Sequence, residues 1–125
     1  MANQMPRILI IGHDRDASYA MRNVFDNQPF ELEICLGIAV AKSVLLERRI
    51  DLLIVDAQVC LEPEFDLIDF QIDHGVKIPV LLVGGENSGV RRSVRSKQGV
   101  HISYVDADGD LLLDWVSGCE ELARA

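Results

Sequence analysis

The sequence predicts an α/β fold built on one doubly wound, five-stranded parallel sheet, and three observations predict it. Five short apolar runs recur along the chain at near-regular spacing, segments of helical periodicity lie between and after them, and three of the runs are apolar throughout, like strands covered by helices on both faces. At 125 residues the chain has the size of a single domain, expected to span residues 1–125 without an internal linker, repeat or low-complexity stretch.

The first run, residues 7–12 (RILIIG), is continuously apolar after Arg7 and reads as a buried central strand. Asp14 or Asp16 then offers an N-cap for a helix whose Tyr19, Met21, Val24 and Phe25 supply the apolar face. Residues 30–36 (FELEICL) alternate Glu31 and Glu33 with Leu32 and Ile34, which suits a strand at the edge of the sheet. A helix over residues 39–48 brings Ala41, Val44, Leu45 and Arg48 close to one stripe, and Glu47, Arg48 and Arg49 mark its solvent end. Residues 51–56 (DLLIVD) and 78–84 (IPVLLVG) repeat the uninterrupted apolar pattern. Between them a helix over residues 65–74 carries Phe65, Ile68 and Ile72 on one face and closes at Gly75. The fourth helical segment, after Gly84 and Gly85, is weak because Gly89 and several serines lower its propensity. A fifth run, residues 101–105 (HISYV), precedes a final helix with Leu111, Leu112, Trp115, Val116, Cys119 and Leu122 at helical spacing.

With right-handed crossovers, this alternation gives the flavodoxin-like (βα)5 arrangement, strand order 2-1-3-4-5. Function is then sought outside the carboxyl ends of the strands, where strands 1 and 3 part. Twelve Lys and Arg against twenty Asp and Glu leave a net charge of −8, which argues against nucleic acid as a direct partner. No apolar run approaches the roughly 20 residues of a membrane-spanning helix. The start lacks the ordered segments of a signal peptide, so the expected location is cytoplasmic, with no membrane partner. Cys35, Cys60 and Cys119 are odd in number, far apart and without a C-x-x-C, which suggests partly buried thiols and neither a disulfide frame nor a zinc site.

The strand ends read Gly12-His13-Asp14, Asp56-Ala57-Gln58, Gly84-Gly85-Glu86 and Asp106-Ala107-Asp108. In this layout the sequence resembles the receiver domains of two-component response regulators, over essentially the whole chain. The resemblance implies that Asp56, at the end of strand 3, stands at the family's phosphoacceptor position. It also implies that the surrounding pocket is degenerate. The family supplies its metal through two acidic residues after strand 1, and here those positions are Gly12 and His13. Imidazole is a poor partner for Mg²⁺, which prefers oxygen in tight octahedral geometry. Asp14 lies one residue further on, where it caps the helix. Gly84 occupies the family's switch Ser or Thr position and has no hydroxyl. Asp106 and Ala107 occupy its Lys and Pro positions, reversing an interaction of about 4 kcal/mol for charges about 4 Å apart at an effective dielectric near 20. Ser103, with Tyr104 beside it, stands at the aromatic switch position. Beyond Asp56, Pro63 and Asp66 match the family's loop only with an insertion, and Leu67 falls where a small residue is expected.

Other patterns are less specific. Gly84, Gly85 and Gly89 fit neither G-x-G-x-x-G nor the P-loop. His74 and His101 have no readable nucleophile as partner. His13 and Asp56 are two groups of the kind that bind transition metals, too few to define a site. No catalytic residue, metal or cofactor is therefore expected, and Mg²⁺ enters only if Asp56 is an active phosphoacceptor.

Charge is segregated near the C-terminus. Arg91, Arg92, Arg95 and Lys97 occupy the fourth helical segment, while Asp106, Asp108, Asp110, Asp114, Glu120 and Glu121 follow on the last strand and helix. The resemblance implies that the surface of the fourth helix, fifth strand and fifth helix is a partner face. A two-fold homodimer could set Arg91, Arg92 and Arg95 against Asp110 and Asp114 of its mate, with Trp115 as an aromatic anchor. Solvated faces with weak ion pairs are the plainer alternative.

These features together predict a receiver-like signalling module that acts by protein contact, dimerisation included, without conventional aspartyl phosphorylation. It is expected either as the N-terminal regulatory domain of a larger signalling protein or as a stand-alone regulator. The alternatives are an active receiver phosphorylated on Asp56, and a flavodoxin-like ligand-binding domain or enzyme using the mouth around Gly12, His13, Asp56 and Gly84.

Overall fold

A computed structural model describes residues 5–60, 66–84 and 102–105, together with Asp114 and Val116. In chain order the elements are β1 (Arg7–Ile11), α1 (Arg15–Asn23), β2 (Glu31–Cys35), α2 (Ile38–Glu47), β3 (Leu52–Asp56), α3 (Ala57–Cys60), α4 (Leu67–Asp73), β4 (Val80–Val83) and β5 (Ile102–Val105). The strands form one parallel sheet in the order β2-β1-β3-β4-β5, the expected flavodoxin-like topology.

The apolar strands are buried because successive side chains serve opposite layers. Leu9, Ile11, Leu53, Val55, Val80 and Leu82 pack on one face with Ile38, Ala41 and Leu45 of α2 and with Leu67 and Ile68 of α4. Ile8, Ile10, Leu52, Ile54, Leu81 and Val83 pack on the other with Met21, Phe25 and the helical residue Val116. β1 and β3 therefore lie in the middle, covered on both sides. β2 is an edge strand, as its alternation predicts, and its Glu31 and Glu33 pair with Arg7 and Arg48 respectively. Its Glu31 N–H donates to the Pro6 carbonyl, so the backbone groups of Leu32 and Ile34 face away from β1.

Two local readings need correction. Tyr19 is 49% exposed and is not part of the α1 core face, which is made by Ser18, Met21 and Phe25. The cause is spacing: Ser18, Met21 and Phe25 stand at i, i+3 and i+7 on one stripe, and Tyr19, two residues from Met21, lies roughly 200° round the helix. The single helix expected over residues 65–74 is instead preceded by the short α3 directly after β3, and α4 begins at Leu67. Its buried residues are Leu67, Ile68 and Gln71, with Ile72 half-buried and Phe65 outside the described residues. The helix ends as predicted at Gly75, whose φ of +69° permits the paired bonds from Gly75 N–H to the Ile72 carbonyl and from Val76 N–H to the Gln71 carbonyl.

Candidate functional site

Register brings the sequence-selected residues to one end of the sheet. Ile11 pairs with Val55 and Asp56 with Val83, so the segments that begin at Gly12, Asp56 and Gly84 leave the sheet side by side. β2 joins β1 on one side and β3 on the other, which makes this the point where the chain parts.

Asp56 is the centre of the site, and both of its carboxylate oxygens are engaged. Oδ1 accepts the Gln58 N–H at 3.0 Å, the side-chain turn expected where a strand-terminal aspartate leads into a helix. Oδ2 accepts from His13 Nδ1. On the other side of the ring, Nε2 lies 3.2 Å from Asp14 Oδ2. A carboxylate only accepts, and a neutral imidazole carries one N–H, so donation to both carboxylates at once needs both ring nitrogens protonated. In that form the ring is a cation between two anions, one on the β1–α1 turn and one at the end of β3.

Asp14 serves twice. Its Oδ1 accepts the Ala17 N–H at 2.7 Å and caps α1, as the sequence predicted, while Oδ2 faces His13. Gly12 is fixed by what lies over it: a Cβ there would stand 2.2 Å from Ser18 Oγ and 2.9 Å from Ser18 N. Ser18 is fully buried, and its hydroxyl donates to the Asp14 carbonyl at 2.9 Å. Gly84 has a φ of +79°, a conformation that side-chain-bearing residues adopt only under strain.

The donor set does not fit Mg²⁺. Gly12 offers no side chain, His13 offers nitrogen, and both oxygens of Asp56 are already hydrogen-bonded. Among the described residues no group of three or more His, Cys, Asp or Glu is placed to hold a metal ion. The sequence reading took His13 for a lost acidic position. What it missed is that the same side chain is the ion-pair partner of Asp56, a role the β1–β3 pairing of residues 11 and 55 points to.

The remaining candidates separate into placed and unplaced. His74 donates from Nδ1 to the Phe70 carbonyl and stacks on the Phe70 ring at 4.2 Å, so it belongs to the end of α4. Lys42 pairs with Asp66 and lies 5.5 Å from the same Phe70 ring, joining α2 to α4. Cys35 is a buried thiol, and burial pushes its pKa up. Asp114 is helical and exposed. Asp106, Arg91, Arg92, Arg95, Asp110 and Trp115 lie outside the described residues, as do His101 and Cys119. Among the described residues no helix is long and apolar enough to cross a membrane.

The chain matches no protein-family model and no curated protein. Its fold does match solved structures. The signal receiver domain of an HD domain-containing protein from Pseudomonas fluorescens Pf-5 superposes with a TM-score of 0.74 at 18% identity, covering 99% of this chain and 91% of that one. The receiver domain of the Francisella response regulator 1452 gives 0.72 at 14% identity, with 95% and 98% covered. A CheY-like receiver domain protein from Methanospirillum hungatei JF-1 gives 0.65 at 17%, with 96% and 95% covered. The chain therefore has the receiver-domain fold, as its strand ends suggested.

Proposed function

We propose that this chain is a receiver-like signalling module that acts through protein contact, with Asp56 held in an ion pair instead of serving as a conventional phosphoacceptor. One observation carries the reading: both oxygens of Asp56 are engaged, one by Gln58 N–H and one by His13. Phosphoryl transfer depends on a positioned nucleophile and on cations that neutralise the transferring oxygens. Here the nucleophile's oxygens are both bonded and the neighbouring cation is a side chain. Gly12 and Gly84 support the reading, because neither position accepts the acid or hydroxyl that active receivers carry there without clash or strain. It calls for no catalysis and no cofactor.

The test is to add Mg²⁺ and then beryllofluoride, a stand-in for the aspartyl phosphoryl group, while following backbone amide signals. The expected result is that Val55, Asp56 and Gln58 do not move. Saturable shifts at these residues that disappear in Asp56→Asn would overturn the reading in favour of an active receiver.

The contact surface in this reading is the charged C-terminal face. Arg91, Arg92 and Arg95 would meet Asp110 and Asp114 of a second copy, with Trp115 as an aromatic anchor. Solution mass at low and high salt checks it: a dimer that dissociates as salt rises is expected, and a salt-insensitive monomer at high concentration removes the dimer.

A further inference from the structure

We propose that the proton on His13 is the regulatory input of this site: the doubly protonated ring clamps Asp14 and Asp56 together, and loss of one proton frees Asp14. The inference rests on reading Asp56 as an ion-paired group. Nδ1 meets Asp56 and Nε2 meets Asp14, and neither carboxylate can donate in return. A neutral ring retains a single N–H and serves a single carboxylate. The Asp56 side chain is 16% exposed and that of Asp14 is 55% exposed. An acceptor left without its donor costs more where water cannot replace it, so the remaining proton stays on Nδ1 with Asp56. Water takes over at Asp14 Oδ2, and Asp14 keeps the cap it accepts from Ala17.

Among the described residues, the two side chains paired with the ring are acidic. Asp14 faces the ring from the β1–α1 turn and Asp56 faces it from β3, while β4 ends alongside at Gly84, which has no side chain. Arg15 and Asp16 open α1 on exposed positions. The sequence sets Glu86 after Gly84 and Asp106 after β5, both outside the described residues. Loss of the proton leaves two anions facing each other without a cation between them. The clamp is thus complete while the ring holds both protons and is lost as pH rises and it gives one up. Its mechanical effect is to tie the start of α1 to the end of β3, or to untie them.

Two amides report the two ends separately, since Ala17 N–H bonds Asp14 and Gln58 N–H bonds Asp56. In a pH titration of the whole chain followed by NMR, both amides are expected to move with the same midpoint as the His13 ring. His74→Gln and His101→Gln assign the ring signals of the three histidines. Asp14→Asn, which keeps the capping oxygen and removes the charge, is expected to shift the midpoint to lower pH, and His13→Gln to flatten both amide curves. Flat curves at Ala17 and Gln58 through the His13 titration, or a midpoint unchanged in Asp14→Asn, would overturn the proposal. If His13→Gln does not fold, the Asp14→Asn midpoint decides alone. Beryllofluoride separates the two readings: a response centred on Asp56 overturns the ion-paired reading, whereas no response with flat amide curves overturns only the proton clamp.

Discussion

Gly12 and Ser18 approach so closely that a Cβ on the glycine would stand 2.2 Å from the serine Oγ and 2.9 Å from its backbone nitrogen. Restoring an acid at this position is therefore not a local repair. Gly12→Asp is expected to destabilise the fold by about 1–3 kcal/mol, the usual cost of forcing atoms into a packed site. Removing the hydroxyl with Ser18→Ala should recover only part of the loss, since the backbone contact remains. Urea unfolding of the single and double variants measures both.

A second attempted repair fails for a different reason. Nothing lies within 4 Å of a Cβ at Gly84, but its φ of +79° disfavours any side chain. Gly84→Ser is expected to cost about 1–2 kcal/mol through backbone conformation alone. The same variant should still show no beryllofluoride response at Asp56, because the His13 pair is untouched.

Gln71 is fully buried in α4, and its Oε1 accepts the Ile78 N–H at 2.6 Å just ahead of β4, while Nε2 has no hydrogen-bond partner among the described residues. Gln71→Leu removes the orphaned donor together with the useful acceptor. The second loss leaves a buried N–H unpaired, and a net cost of about 1–3 kcal/mol is expected. Thermal unfolding gives the magnitude, and faster hydrogen exchange at Ile78 locates it.

Burial raises the Cys35 thiol above its ordinary value of 9.0. In the unfolded chain the thiol loses its proton first, so the unfolded state binds fewer protons above pH 9 and stability falls as pH rises further. Unfolding midpoints measured from neutral pH upward should show this decline, and Cys35→Val should remove its share of the slope.

The sheet was legible because its information is local and repetitive. The uninterrupted runs in β1, β3 and β4 and the alternating glutamates of β2 decide burial strand by strand, and right-handed crossovers leave few orders that fit it. Asp14 was equally legible as a cap, since its role depends on residues three positions away. His13 was not. Its partner is 43 residues distant, and the ion pair exists only because β1 and β3 are neighbours. Tyr19 and Gln71 were missed for a different reason: the apolar residues were read as the inner face, whereas the buried stripes include the polar Ser18 and Gln71 at helical spacing from Met21 and from Leu67 and Ile68. An apolar tyrosine face was expected where a buried serine supports the turn below it.

The outer side of β2 has a consequence for the molecule among its own kind. Leu32 and Ile34 turn their backbone groups away from β1, on a side with no neighbouring strand among the described residues, and such a strand could template another, the usual opening for aggregation through sheet growth. Glu31 and Glu33 interrupt that strand with charges, tethered in place by Arg7 and Arg48. An incoming strand would have to lie against two anchored carboxylates and displace their water. The same alternation that marks β2 as the rim of the sheet thereby keeps the sheet finite, leaving crowded copies of the chain to meet through their side chains.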